Sequence, residues 1–223
     1  MTAGRGDATG SGPGELDTVG AILLAGGRAT RMGGATKPLL EIDGRSLLAR
    51  AVAAVAEAGA RPVTVAAEVL DPALEVEWVR EDPPFGGPAA ATIAVLDAWA
   101  ARGDDPPWTF LLACDLPHVD AAVARLSSDI LLLPADTDGI CLADPSSRPQ
   151  WLTGLYRTVA LRRGAAALPD RGRGASVQAL LDDLAIAVVP APEGLTADVD
   201  TWEDLVRART EARHPVARTE EDA

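Results

Sequence analysis

Residues 19–25 form an unbroken apolar run that leads straight into the glycine pair Gly26-Gly27. The run is too short for a helix and does not alternate, so it reads as a strand covered on both faces, as in a parallel sheet. Gly26, Gly27, Gly33 and Gly34 then fall in one short stretch with Arg28, Arg31 and Lys37. Four missing Cβ atoms let this backbone take positive φ and turn its N–H groups toward an anion.

The following residues keep alternating strand and helix signals. Residues 39–42 read as the end of an extended segment, closed by the turn Asp43-Gly44. Ser46 can cap a helix through Leu47, Leu48, Val52 and Val55 that stops at Gly59. Strands are expected over 62–67 and 76–80, the second ending in Glu81-Asp82-Pro83-Pro84. The turn Phe85-Gly86-Gly87-Pro88 opens an alanine-rich helix over 89–101, and residues 108–113 form a further apolar strand ending in Cys114-Asp115-Leu116-Pro117. Beyond it, strands are expected over 130–133, 140–143, 151–156 and 186–190, and helices over 159–168 and 177–184, the latter capped by Ser176. A last helix runs through Trp202, Leu205 and Val206 with Asp200 or Thr201 as its cap.

This pattern implies an α/β fold: one mostly parallel twisted sheet with helices on both faces, in three layers. In such folds ligands lie beyond the carboxyl ends of the strands. The Gly26 loop, Asp82 and Asp115 all follow strands at that edge, so a single crevice can hold them. The length suits one domain, 18–210, between a Gly- and Ser-rich leader over 1–17 and a charged tail over 211–223, both expected to be disordered.

Several functional classes drop out. A net charge of −13 opposes a nucleic-acid partner, which requires a basic face. It leaves a nucleotide open, because one local cationic cluster can bind a triphosphate. No apolar run approaches the ~20 residues of a membrane span, and the leader lacks the features of a signal peptide, so a cytoplasmic location is expected. Cys114 and Cys141 show no metal spacing and read as small core residues; His118 and His214 are too far apart to form a motif.

Lys37 is the only lysine in a chain whose other basic residues are all arginine. After a glycine-rich loop it suggests a site that takes a compact point charge on a phosphoryl oxygen. Asp115, directly after a hydrophobic strand, calls for a cation, and Mg²⁺ suits a carboxylate shared with phosphate oxygens. Capping of the helix after Pro117 is the alternative. Asp198 and Asp200 stand at i and i+2, so on an extended segment both can face one site. Asp82 can accept from the N1–H and N2–H₂ edge of guanine. Arg171, Arg173 and Ser176 either meet an acceptor phosphate or form a solvated loop.

The spacing fits neither a P-loop nor a dinucleotide fingerprint. It resembles the Leu-Ala-Gly-Gly-x-x-x-Arg-Met-Gly-x-x-Lys signature of the MobA-like nucleotidyltransferases. Here the signature stands as Leu24-Ala25-Gly26-Gly27, Arg31-Met32-Gly33 and Lys37, with one extra residue before the lysine. Ala113-x-Asp115-x-Pro117 resembles the family's metal-binding segment, and Asp198-Val199-Asp200-Thr201 resembles its acidic segment before the final helix. The family also shows an asparagine where Ala66-Ala67 stand, and a glycine at Ala91.

The resemblance implies a Rossmann-like nucleotidyltransferase. It would transfer GMP from GTP to the phosphate of molybdenum-bearing molybdopterin and release pyrophosphate. Nucleotide binding would fall to Leu24, Ala25, Gly26, Gly27, Arg31, Lys37, Asp82 and Gly87, with Gly27 favouring GTP over CTP. Lys37 would stabilise the α-phosphoryl charge and Arg31 the leaving pyrophosphate. Asp115, with Asp198 or Asp200, would hold Mg²⁺. Gln150 and Thr153-Gly154-Leu155-Tyr156 resemble a segment on the acceptor side. Apo-molybdoenzymes or their chaperones would receive the product. Two alternatives stand beside this reading: the same fold acting on another base or acceptor, such as a sugar phosphate or phosphorylated small acid, and a nucleotide-binding regulatory module without turnover.

Overall fold

A computed structural model describes residues 18–26 and 32–213. The expectations for Gly27, Arg28, Arg31, His214 and the leader lie outside these residues, as does most of the expected tail. The elements run in this order: β1 (Val19–Leu24), β2 (Glu41–Ile42), β3 (Arg45–Ser46), α1 (Leu47–Glu57), β4 (Val63–Ala66), β5 (Glu77–Val79), α2 (Pro88–Arg102), β6 (Trp108–Ala113), α3 (Val119–Asp129), β7 (Gly139–Ala143), β8 (Pro149–Arg157), α4 (Thr158–Ala167), α5 (Val177–Leu181), β9 (Ile186–Pro190) and α6 (Trp202–Arg213).

Seven strands form one sheet in the order β5-β4-β1-β6-β8-β7-β9. All pairings are parallel except those of β8, which runs antiparallel to both its neighbours. Every residue of β1 is buried, as its apolar run requires of a strand covered on both faces. Helices α1 and α3 contribute to the core on one face, through residues such as Leu48, Val55, Val119 and Leu126. Helices α2, α4 and α5 supply the other, through residues such as Leu96, Trp99, Leu161 and Leu180. Gly20 is small because of this packing: a Cβ there would lie 2.8 Å from both Trp99 and Pro106. The Trp99 indole N–H in turn donates to Thr64 Oγ1 at 2.8 Å, which satisfies its polar atom inside the core.

Local signals set most boundaries. The Ser46 hydroxyl accepts from Ala49 N and caps α1, while Gly59 at φ +82° turns the chain after it. Asp43 and Gly44, both at positive φ, make the tight turn between β2 and β3. Ser176 caps α5 through Ala179 N. Residues 37–39 form a 3₁₀ turn with Pro38 in its first turn, and the expected extended segment is reduced to β2.

Residues 130–133 correct the expectation of a strand. Ile130–Leu132 is a 3₁₀ turn that continues α3, with Leu131 and Leu132 exposed. Ile130 keeps the right-handed helical backbone of α3 and the chain becomes extended only at Leu133, while β8 and β9 already occupy both edges of β7. Helix α6 extends to Arg213, beyond the expected domain end at 210. Among the described residues, no helix is long and apolar enough to cross a membrane.

Candidate active site

The chain leaves β1 for β4 and β5 on one side, then returns to β6 on the other. The reversal between β1 and β6 is a topological switch point, where open α/β sheets bind ligands. Register brings Leu24 opposite Ala113, and Cys114 N donates to Leu24 O at 3.1 Å. The glycine loop after Ala25 and the carboxylate of Asp115 therefore leave the sheet side by side. A cavity of about 820 Å³ opens there, lined by Leu24, Ala25, Gly26, Gly34, Lys37, Gly87, Asp115 and Asp200 among others. Gly87 sits at φ +95° as the cap of α2, a conformation that excludes most side chains.

Lys37 begins the 3₁₀ turn and points its ammonium at two aspartates. Its Nζ bonds to the Asp200 carboxylate and lies 3.9 Å from Asp115 Oδ2. Carboxylate oxygens of Asp115, Asp198 and Asp200 all lie within 4.8 Å of one another. The lone lysine and the distant acidic segment thus meet at one place.

Among the described residues, one ammonium and three carboxylates share this place. Burial, then the Asp198 carboxylate, pushes the Asp115 carboxyl up from 3.8 to about 6, against the opposing pull of Lys37. Burial and the Asp200 carboxylate likewise raise Asp198. Carboxylates held this way favour a proton or a cation. All three supply oxygen ligands, the donor type that Mg²⁺ takes alongside phosphate oxygens. The donor set fits such an ion.

Both capping alternatives are resolved by the hydrogen bonds. His118, not Asp115, occupies the cap position of α3, and its side chain makes no capping bond. At α6 the Thr201 hydroxyl accepts from Asp204 N, and Asp204 accepts from Thr201 N at 2.8 Å, a reciprocal capping pair. The Asp200 carboxylate instead bonds to Lys37.

Asp82 is exposed and is not among the residues that line the cavity, whereas its equally exposed neighbours Arg80, Glu68 and Phe85 line it together with Glu81. Glu81 accepts from Gly86 N at 3.2 Å. Arg80 pairs with Glu68 at 2.9 Å and lies 5.3 Å from the Phe85 ring centroid. Sequence reasoning passed over Glu68, Arg80 and Phe85. The available signal was positional, since Glu68 and Arg80 follow β4 and β5, whose last residues pair as Ala66 with Val79.

Other candidates have structural partners. Arg171 bonds to Asp97, and Ser176 caps α5. The Gln150 amide donates to Asp144 at 3.0 Å. Arg173 sits in a loop tied to Gly86 O by Gly174 N at 2.7 Å. His118 meets Glu211 at 3.1 Å. Cys114 and Cys141 are buried; desolvation pushes the Cys114 thiol far up and the Cys141 thiol to about 12, so neither is a thiolate nucleophile.

A family model described as the MobA-like NTP transferase domain matches residues 21–186. A molybdenum cofactor guanylyltransferase of Rhodopseudomonas palustris is 41% identical over 123 residues, which are 52% of this chain and 57% of that protein. A probable molybdenum cofactor guanylyltransferase of Synechococcus elongatus is 36% identical over 150 residues, covering 61% of this chain and 71% of its own. The chain thus spans little more than half the length of the first of these relatives. Among solved structures, molybdopterin-guanine dinucleotide biosynthesis protein A from Archaeoglobus fulgidus superposes with a TM-score of 0.60 at 20% identity, over 86% of this chain and 98% of its own. The 2-C-methyl-D-erythritol 4-phosphate cytidylyltransferase from Thermus thermophilus gives 0.59 at 18% identity, over 89% and 99%. These two likenesses establish the fold.

Proposed function

This chain belongs to the MobA-like NTP transferase family, and on that premise we propose that it transfers GMP from GTP to the phosphate of molybdenum-bearing molybdopterin. The observation that carries the proposal is the meeting of Lys37 with Asp115, Asp198 and Asp200 at the β1–β6 switch point. An acceptor phosphate oxygen attacks the α-phosphorus in line, the bond to the bridging oxygen breaks, and pyrophosphate leaves with its electron pair. Such transfer asks for positioning and charge neutralisation rather than covalent work by side chains.

Each group has a part. The backbone around Ala25, Gly26 and Gly34 receives the phosphates, and Lys37 neutralises charge on the α-phosphoryl oxygens. Asp115, with Asp198 or Asp200, would hold Mg²⁺, which supplies a Lewis acid for the triphosphate. Arg31 would meet the pyrophosphate. Glu68, Arg80 and Phe85 line the same cavity, and the base would sit against them. The product would pass to an apo-molybdoenzyme or its chaperone in the cytoplasm.

One observation favours a second reading, the same transfer with a different base. Asp82, the expected guanine contact, is not among the residues lining the cavity, and Ala66-Ala67, which are, carry no side-chain amide. Pyrophosphate release assayed with GTP, CTP and ATP against molybdopterin separates the two. Release with GTP alone supports guanylyl transfer; release with CTP alone replaces it; none with any nucleotide overturns both.

A further inference from the structure

Lys37 and its aspartates come from distant segments, and one helix joins those segments. Helix α6 buries only Leu205 and Ala208. These two belong to a third apolar cluster, separate from the cores on the two sheet faces, together with Met32, Ile42, Leu47 and Val199. Its membership spans both limbs of the site: Met32 and Ile42 flank Lys37 in the chain, and Val199 separates Asp198 from Asp200. Polar ties follow the same division. Val199 N donates to Asp115 O at 2.9 Å. Arg209 Nε donates to Glu41 O at 2.8 Å, just past the turn that carries Lys37.

No helix or strand lies between Pro190 and Trp202. The acidic segment is therefore held by single ties, the Val199 N to Asp115 O bond and the Asp200–Lys37 pair, and by the helix that follows it. Three carboxylates within 4.8 Å repel one another, so the segment that carries two of them needs a further anchor outside the carboxylate group. We propose that α6 is that anchor, and that Leu205 and Arg209 are positioning residues that hold Asp198 and Asp200 against Lys37 and Asp115. The proposal rests on the functional reading above for its importance, but it concerns geometry rather than turnover.

Because Lys37 is the only lysine, amine acylation read by mass spectrometry on its peptide reports this ammonium alone. The whole 223-residue chain is labelled in metal-free buffer, and β1 amide exchange is followed in parallel. Leu205→Ala and Arg209→Ala are each expected to speed Lys37 acylation about fivefold, with β1 exchange unchanged. Leu205→Met should restore the wild-type rate. Val206→Ala, at an exposed position of the same helix, should leave it unaltered. Arg209→Ala, which leaves the buried cluster whole, serves even where Leu205→Ala fails to fold. The proposal is overturned by an unchanged acylation rate in Arg209→Ala, by an equal rise in Val206→Ala, or by a matching rise in β1 exchange. Faster acylation in the variants, with no nucleotide transfer by the wild-type protein, overturns the functional reading alone; wild-type transfer with unaltered acylation in the variants overturns this proposal alone.

Discussion

Asp115→Asn should make the metal-free protein more stable while it removes metal binding. The Asp115 side chain is 25% exposed, 3.9 Å from Lys37 Nζ and grouped with two further carboxylates. Its carboxyl is raised from 3.8 to about 6, chiefly by burial and then by Asp198. A raised carboxyl pKa means that the fold disfavours the ionised form. At about 1.4 kcal/mol per pK unit, the ionised carboxylate costs the folded state on the order of 3 kcal/mol at most. The sign follows from linkage. Below pH 3.8 the group is protonated in both states and costs nothing; the cost grows between 3.8 and about 6 and is complete above it. An amide of the same shape avoids it. Scanning calorimetry in EDTA at pH 8 should show a gain of roughly 1–3 kcal/mol, at about 2–4 °C in Tm for each kcal/mol. At pH 4 the two proteins should melt nearly together. Adding Mg²⁺ and GTP at pH 8 should stabilise the wild type and leave the variant where it was. A variant less stable than wild type in EDTA at pH 8, or an equal gain at both pH values, would refute this reasoning.

Lys37→Ala should lower turnover by about 3 kcal/mol in transition-state stabilisation, roughly a hundredfold in kcat, measured by pyrophosphate release; near-normal turnover would remove it from the mechanism. Chelation should abolish release, and added Mg²⁺ should restore it. Gly20→Ala should cost about 1–3 kcal/mol by driving a methyl into Trp99 and Pro106, read by urea denaturation. Ser46→Ala should cost about 1 kcal/mol by uncapping α1 while nucleotide affinity holds, read by denaturation and calorimetry together.

Much of the architecture was legible because its signals are local. The apolar runs of β1 and β6, the Ser46 and Ser176 caps and the glycine after α1 each act within a few residues. The 130–133 run shows where such signals fail: its apolar residues suit a strand, yet the backbone simply continues α3 and exposes Leu131 and Leu132. Asp82 shows a second limit. The sequence places it after a strand, but the cavity lining takes in Arg80 and Glu81 and not Asp82.

The sequence by itself determined the strand–helix alternation, the glycine-rich loop and the singularity of Lys37, because burial periodicity, backbone freedom and residue choice are written position by position. Tertiary structure alone decided that Asp115 emerges beside that loop, through the Leu24–Ala113 register, and that Asp200 returns to Lys37 across 163 residues. Such closeness depends on strand order and on the docking of α6, and neither leaves a trace in any local stretch of chain.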